Sequence, residues 1–492
     1  MNDNKSLKRK AITGAIWKFS ERIASRAVSF VVSVILARLL LPEDYGIIAL
    51  VGVFITICDK LVISGFATSL IQKKDADNLD FSTVFFFSLG MSLMLYTALF
   101  LSAPLIADFY SAYDRELLIN VIRVMGIQII ATAVNSVQHA YVSRTMQFKK
   151  NMWSALGGTT LSAIVGVTMA YKGYGVWALV AQYCVDVVAV MIILWIVVRW
   201  RPQLKFSVSR FKALFAYGWK IFAASMIKVL YNDLRSLVIG KFYSAADLAY
   251  YNKGQSFPQL VESNVGGTIE SVLFPTISKR QSSKEDMLLI LRRAIKTSTY
   301  ILSPILAGLA AVAAPLIEIL LTEKWLPSTV YMQILCFTFM LMPVEMDNLQ
   351  AIKAMGRSDI ALKLEIIKKI IGITLLAVSI PFGVKAIAIT MLIGAVANAI
   401  IDAIPNQKLL GYNFVQQVKD TAPSFVMSLI MFAVVYPISF VKMNVYLLLV
   451  IQVTVGVIIY FGLSVIFKTE SFLYLVDLLK GILKKKGVKN EP

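Results

Sequence analysis

The chain has 492 residues, of which 58% are hydrophobic and 16% charged, and its mean hydropathy is +0.72. Soluble globular proteins are about 45 to 50% apolar, so this composition excludes that class and predicts an all-α polytopic membrane protein. The formal net charge of +20 does not indicate nucleic-acid binding, because the Lys and Arg residues lie between apolar runs and form no nucleic-acid-binding module.

Taken in chain order, the apolar runs predict fourteen membrane spans, each of about 20 residues or more. These lie near residues 12–40, 45–70, 81–106, 116–141, 152–171, 175–198, 213–240, 247–274, 292–317, 328–353, 360–381, 384–404, 421–440 and 445–467. We predict a first six-helix lobe over 1–205, a second over 206–410, and two further spans over 411–468. Residues 469–492 form a basic, amphipathic tail, which suits either a helix on an anionic inner leaflet or a solvated tail.

Positive charge supports this order of spans. The two termini and every second connection are rich in Lys and Arg. The alternate connections hold about one cation each, namely Arg38, Arg115, Lys172, Lys241, Lys324, Lys385 and Lys442. Loops that stay in the cytoplasm keep an excess of Lys and Arg, so both termini are predicted to be cytoplasmic.

The sequence also repeats itself. Ala103-Pro104-Leu105-Ile106 returns as Ala314-Pro315-Leu316-Ile317, each time closing an apolar run, and Gly175 to Ala181 matches Gly383 to Ile389. A third match pairs Arg38 and Asp44 with Lys241 and Asp247. Halves with an even number of spans share one orientation, so we predict two pseudo-symmetric lobes, an arrangement that is common in transporters.

Cationic side chains inside the spans predict a site for an anion. In the first span Arg22 and Arg26 lie one turn apart on a face that Ser29 extends. Arg123, Lys228 and Arg235 add cations in later spans. The alternative is that Glu21 neutralises the first pair and that Lys18 extends to the interface. Arginine is well suited to bidentate contacts with phosphate.

Polar side chains form helical stripes in both halves, which predicts a wet cavity. Gln128, Asn135 and His139 share a face of the fourth span, and Gln255, Gln259, Glu262 and Glu270 share a face of the eighth. As the only histidine, His139 is more consistent with a hydrogen-bonded packing residue than with a metal ligand or proton relay.

Acidic and amide residues inside spans are candidates for ion coupling. The candidates are Asp233, Glu262, Glu270, Asn398 and Asp402. The alternative for each carboxylate is interhelical pairing, for example with Lys368, Lys369 or Arg235.

Motifs of enzymes and metal sites are weak. Asp75 and Asp77 match the DxD pattern of glycosyltransferases, but they lie in a short loop with no nucleotide-binding domain around it. No phosphate-binding loop is found. Cys58, Cys184 and Cys336 are too far apart for a metal pair, so we interpret them as buried apolar residues.

The segment from Ala37 to Gly46, ARLLLPEDYG, resembles the signature that follows the first span of bacterial polysaccharide flippases. Gly65-Phe66 and the segment from Gly173 to Val180 are similar to the same family. The chain therefore resembles a Wzx-type oligosaccharide flippase of the polysaccharide biosynthesis branch of the MOP exporter superfamily, which also contains MATE drug exporters and lipid II flippases. The resemblance implies a MATE-like fold in the bacterial inner (cytoplasmic) membrane.

The implied function is transport, not enzyme catalysis. An undecaprenyl-pyrophosphate-linked oligosaccharide would move from the inner to the outer leaflet by alternating access, for O-antigen, capsule or exopolysaccharide biosynthesis. The implied coupling ion is H⁺ or Na⁺, with no other cofactor and no bound metal. The implied partners are this substrate and the phospholipid bilayer, together with a polysaccharide polymerase and chain-length proteins.

Two alternatives remain at this stage. A MATE-like ion-coupled exporter of cationic drugs needs an acidic cavity, whereas the stripes in this chain are basic. A membrane polysaccharide polymerase tends to carry a large outer loop with catalytic residues, and every outer loop predicted in this chain is short.

Overall fold

The computed structural model describes residues 17, 21, 24–63, 65–280 and 283–477, and within this part of the chain it contains helices and no strands. The predicted tail lies largely outside the described residues. Helices dominate because lipid offers no hydrogen-bond partners to the backbone, and a helix satisfies its peptide groups internally. Contacts divide the chain into two compact units, residues 1–249 and 250–492. The division into lobes at residues 205 and 206 stays a prediction.

The first unit contains nine helices among the described residues, with a tenth that starts near its end. They are α1 (24–39), α2 (Pro42–Ile63), α3 (Phe66–Gln72), α4 (Asn78–Phe109), α5 (Arg115–Gly126), α6 (Gln128–Arg144), α7 (Phe148–Tyr171), α8 (Val176–Val197), α9 (Val208–Phe242) and the start of α10 (Ala245–Ser278). Helix α2 packs against α6, α8 and α9, while α7 pairs with α8. Helix α9 bends by 52° between Ala216 and Gly218.

The second unit holds most of α10 and the remaining helices. They are α11 (Lys284–Ala311), α12 (Ala313–Leu321), α13 (Ser328–Met340), α14 (Met342–Ala354), α15 (Ser358–Ser379), α16 (Val384–Leu410), α17 (Phe414–Val435) and α18 (Val445–Ile466), with short 3₁₀ turns at Glu323–Trp325, Ile380–Phe382 and Tyr436–Phe440. Another helix begins at residue 470 and is described up to residue 477. Helix α11 packs against α13, α14 and α17, and α16 packs against α13, α14 and α15.

Ten stretches of helix among the described residues are long and apolar enough to cross a membrane, and the two parts of α9 make up to eleven. The all-α polytopic fold is thus confirmed. Helices α10 and α15 coincide with the predicted spans 247–274 and 360–381 but are not among these ten. The first predicted span, 12–40, is described only in part. The total of fourteen spans stays a prediction.

The sequence repeats correspond to repeated local structure. Gly175 and Gly383 both have positive φ angles, 56° and 95°, and each directly precedes a helix, α8 or α16. Glycine suits this conformation because it has no side chain to clash. Asp44 accepts the backbone N–H of Leu41 at 3.1 Å, and Asp247 accepts that of Ser244 at 3.3 Å. An aspartate at the corresponding position therefore stabilises the turn in each repeat.

Both copies of the Ala-Pro-Leu-Ile repeat lie inside helices, within a few residues of the helix ends. Helix α4 continues through Pro104 to Phe109, and the second copy lies in α12, which continues to Leu321. The predicted span 292–317 is instead interrupted earlier, at Val312, between α11 and α12. Proline is accommodated in the first turn of a helix, as at Pro315, and neighbouring helices make it tolerable inside a membrane helix, as at Pro104.

Candidate functional site

The candidate cations that the structure describes all lie in the first unit. Arg26 on α1 and Lys228 on α9 have exposed side chains, whereas Arg123 on α5 and Arg235 on α9 are half-buried. Arg22 lies outside the described residues. The described cations therefore lie on three different helices of one unit.

Arg123 and Arg235 contact aromatic rings. The guanidinium of Arg123 lies 4.3 Å from the centroid of the Phe100 ring, and that of Arg235 lies 5.7 Å from the Tyr231 ring. The buried Nε atom of each arginine has no hydrogen-bond partner among the described residues. Buried donors are normally satisfied, so these two groups retain hydrogen-bonding capacity for an anionic acceptor.

The polar residues predicted in the first unit are partly used for packing. Gln128 and Asn135 are buried in α6, and Asn135 donates its Nδ2–H to the Val187 carbonyl at 3.1 Å. The Nδ1 atom of His139 lies 3.1 Å from Oδ1 of Asn151, which agrees with its interpretation as a packing residue. Ser29 is exposed on α1.

Five further candidates lie on α9 and α10. Asp233 is half-buried on α9 in the first unit. In the second unit, Gln255 is half-buried and Gln259 is exposed on α10. Glu262 lines a narrow cleft together with Ser298 and Asp347. The side chain of Glu270 lies outside the described part of the structure.

A cluster of charged side chains in the second unit joins α14, α15 and α16. The Lys368 ammonium lies 2.9 Å from Asp402, 3.1 Å from Glu345 and 2.9 Å from Glu365. Asn398 donates to Glu345 at 3.4 Å. We call these residues, Glu345, Glu365, Lys368, Asn398 and Asp402, the Lys368 cluster. The structure thus brings Asn398 and Asp402 together, and it gives Asp402 the interhelical lysine partner that the sequence left as an alternative.

Asp77, the second acidic residue of the DxD pattern, takes part in capping α4. Asp77 precedes α4 and accepts the N–H of Asp80 at 3.0 Å, while Asp80 accepts that of Asp77 at 3.1 Å. This reciprocal pair is a capping box. The hydrogen bond from the Asp80 backbone and the nearby Arg210 hold the pKa of Asp77 below its ordinary value. Asp77 therefore caps the start of α4.

Asp80 is the centre of a larger ionic network in the first unit. Its carboxylate is fully buried and receives Lys73 at 2.7 Å and Arg210 at 3.0 Å. Arg144 donates to the carbonyls of Leu70 and Lys74 at 2.9 and 2.6 Å. These contacts join α4, α6, α9 and the loop after α3 at one end of the unit.

The sequence analysis did not identify two half-buried carboxylates, Glu365 and Asp59. Glu365 lies one turn before Lys368 on α15, a spacing that the sequence displays. Asp59 is the one acidic residue between Asp44 and Asp75, and it accepts a hydrogen bond from Thr132. An acidic residue within an otherwise apolar span is the signal that could have identified Asp59.

Comparisons with known proteins agree with this fold. The profile of the family described as "Polysaccharide biosynthesis protein" matches residues 35–330, more than half of the chain. The chain is 25% identical to the lipopolysaccharide biosynthesis protein WzxC of Escherichia coli (strain K12) over 448 residues, which is 89% of each protein. It is also 25% identical to the succinoglycan biosynthesis transport protein ExoT of Rhizobium meliloti (strain 1021) over 310 residues, 63% of this chain and 62% of that protein's length.

A solved structure of the lipid II flippase MurJ, in an inward closed conformation, superposes with a TM-score of 0.74. The match covers 93% of this chain and 98% of that chain at 14% sequence identity. At this identity the superposition shows a shared fold. The superposition confirms the expected all-α membrane fold, and the family match confirms the resemblance that ARLLLPEDYG indicates. The chain is a polytopic membrane protein that belongs to the polysaccharide biosynthesis protein family.

Proposed function

We propose that this protein is a flippase for an undecaprenyl-pyrophosphate-linked oligosaccharide, which it moves from the inner to the outer leaflet of the bacterial cytoplasmic membrane by alternating access. Relatives named for succinoglycan and lipopolysaccharide biosynthesis support a substrate from surface-polysaccharide assembly. The fold shared with a lipid II flippase is consistent with a lipid-linked substrate. A polymerase and chain-length proteins would act on the product and are proposed as partners.

The observation that carries this proposal is that Arg123 and Arg235 each have a buried Nε–H group without an acceptor. Each guanidinium is partly buried and lies against an aromatic ring, and each buried Nε–H lacks an acceptor among the described residues. Keeping a desolvated donor unsatisfied is costly. A pyrophosphate supplies several anionic oxygens, which would satisfy these donors in charge-assisted hydrogen bonds.

The cations lie at two depths. With a rise of about 1.5 Å per residue, Arg123 lies about 12 Å from the start of α5, and Arg235 about 10 Å from the end of α9. Arg26 and Lys228 lie about 20 Å from the ends of α1 and α9. The proposed topology, with cytoplasmic termini, places all these helix ends on the outer side. A phosphate moving outward would pass from the deeper pair to the shallower pair.

The polar side chains suit the glycan. Gln255 and Gln259 carry amide groups that can donate to and accept from sugar hydroxyls. The apolar lipid chain would remain in the bilayer, since burying it in a polar cavity would cost about 0.8 kcal/mol per CH₂ group withdrawn from an apolar environment.

The test measures the leaflet of a fluorescent lipid-linked oligosaccharide in proteoliposomes that contain the purified protein. Arg123→Gln and Arg235→Gln should each slow flipping about 10- to 100-fold, because a hydrogen bond to a charged group contributes about 1.5 to 3 kcal/mol. Arg26→Gln should slow it as well. The matched control is Arg115→Gln, since Arg115 is exposed and already paired with Asp108 at 2.6 Å.

The control should flip at the wild-type rate. Wild-type flipping by the double variant Arg123→Gln/Arg235→Gln would remove these residues from the mechanism. A protein that lengthens the glycan would instead be a polymerase, and one that moves a cationic dye but not the glycolipid would be a drug exporter.

A further inference from the structure

The Lys368 cluster buries ions of both signs inside the second unit. Lys368 and Asp402 are 4% and 0% exposed, Glu345 is 18% exposed, and Glu365 is 39% exposed. Burying a charge is costly unless it is paired. The balance of charge in this cluster therefore determines which ions it can hold.

Carboxylates outnumber cations in the buried part of the cluster. Glu345 on α14 and Asp402 on α16 share the single ammonium of Lys368. Glu365 also contacts Lys368, but it is more exposed and lies 3.9 Å from Lys369. Lys353 adds a more distant positive charge. With every group ionised, Glu345 and Asp402 would leave one negative charge without a buried counter-ion.

A second observation identifies where that charge is least compensated. Oδ2 of Asp402 receives Lys368 at 2.9 Å. Its other oxygen, Oδ1, is buried and has no hydrogen-bond partner among the described residues. An ionised carboxylate accepts hydrogen bonds through both oxygens, so this oxygen is placed to gain from binding a cation.

The lysine determines which cation fits. Carboxylate oxygens from three helices converge on its nitrogen at 2.9 to 3.1 Å. The ammonium thus occupies the centre where a metal ion would have to bind, and a proton needs no such volume. Two like charges that share a site favour uptake of one proton by the pair.

We propose that the Lys368 cluster is a proton-binding site, in which a proton from water forms an O–H bond with Asp402 while Lys368 remains an ammonium and acts as a built-in counter-ion in place of Na⁺. The proposal deepens the proposed flippase function, since it assigns the coupling ion. Asp402, Lys368 and Glu345 each lie about 12 to 15 Å from the helix ends at Leu410, Ser358 and Ala354. The proposed topology places these three ends on the cytoplasmic side, so the site lies within the membrane.

The first experiment needs no transported substrate. Infrared difference spectra of the purified protein, recorded between acidic and alkaline buffers, should contain a protonated-carboxyl band that Asp402→Asn removes. The control Asp359→Asn should keep the band, because Asp359 is an exposed residue paired with Arg357. An unchanged band in Asp402→Asn would overturn the proposal.

A second variant tests the role of the lysine. Lys368→Ala removes the ammonium and leaves its carboxylates without a counter-ion, so this variant should bind radioactive ²²Na⁺ whereas the wild type should not. Wild-type binding of Na⁺ that Asp402→Asn abolishes would overturn the assignment of a proton. If Lys368→Ala does not fold, Lys368→Met combined with Asp402→Leu removes the pair together and should also lose the infrared band.

The pH dependence of flipping distinguishes failure of the proton site from failure of the proposed flippase function. One coupled proton shifts the equilibrium about tenfold per unit of pH difference across the membrane, and Asp402→Asn should abolish this dependence. Flipping that depends equally on pH in Asp402→Asn would refute coupling at this site. An intact infrared band together with no flipping of any lipid-linked oligosaccharide would refute the flippase function and leave the proton site standing.

Discussion

Replacing Gly46 with alanine should destabilise the first unit because this residue touches the backbone of another helix. Gly46 is buried in the first turns of α2, within the signature segment ARLLLPEDYG. A Cβ atom placed there would lie 1.9 Å from the carbonyl oxygen of Ala245 and 2.4 Å from its carbonyl carbon. Ordinary contacts of a Cβ atom begin at 3.4 Å. The two backbones would therefore have to separate by about 1.5 Å.

The contacts around Ala245 indicate how much unfolding free energy the substitution would remove. Ala245 is the first residue of α10, and Asp247 holds that turn through the Ser244 N–H and hydroxyl at 3.3 and 2.7 Å. Loss of this cap costs about 1 kcal/mol, and overpacking costs about 1 to 3 kcal/mol. Alanine regains about 1 kcal/mol over glycine within a helix. The net loss of unfolding free energy is about 1 to 3 kcal/mol.

Gly52 provides a matched control. It lies on the same helix, and a Cβ atom there would meet nothing within 4 Å, so Gly52→Ala should retain or raise stability. Thermal unfolding of both purified variants in detergent, followed by tryptophan fluorescence, measures the difference. The midpoint of Gly46→Ala should fall about 5 °C or more below that of Gly52→Ala. Equal midpoints would show that α2 and α10 do not approach each other this closely.

Two further outcomes are expected. Asp80→Asn removes the buried charged acceptor of Lys73 and Arg210 and should lower the free energy of unfolding by about 3 kcal/mol. The control Asp75→Asn, at an exposed residue, should change this free energy by less than about 0.5 kcal/mol. Equal thermal midpoints for the two variants would contradict a structural role of Asp80. In cells that express a variant lacking Cys58, Cys184 and Cys336, a membrane-impermeant maleimide should label Lys172→Cys, and Lys74→Cys only after lysis; labelling of Lys74→Cys in intact cells would reverse the proposed topology.

Much of the fold could be predicted because membrane insertion and helix capping are local properties. An apolar run of about 20 residues is helical in lipid wherever it lies in the chain. Two kinds of turn could likewise be recognised from repeated sequence segments, one around Asp44 and Asp247 and one around Gly175 and Gly383. Each turn depends on one carboxylate or one positive φ angle.

The choice of partners could not be predicted in the same way. The sequence alone made Asp402 an ion-coupling candidate with Lys368 as one of several alternative partners, and it did not identify Glu365 or Asp59 at all. Lipid-facing and interior-facing residues are both apolar in a membrane protein, so hydrophobic patterning does not reveal which side of a helix faces another helix. The breaks at Ile127, Val312 and Leu341 also leave no mark in hydropathy.

The sequence by itself determined that this protein is an all-helical membrane protein of the polysaccharide biosynthesis family, because hydropathy, glycine turns and the family signature each depend on residues that are contiguous in the chain. Only the tertiary structure decided that Lys368 joins three carboxylates from three helices, and that the carboxylate of Asp80 is shared by Lys73 and Arg210. Lys368 and Asp402 are 34 residues apart in the chain but 2.9 Å apart in space. Ion pairing depends on that second distance, and helix packing sets it.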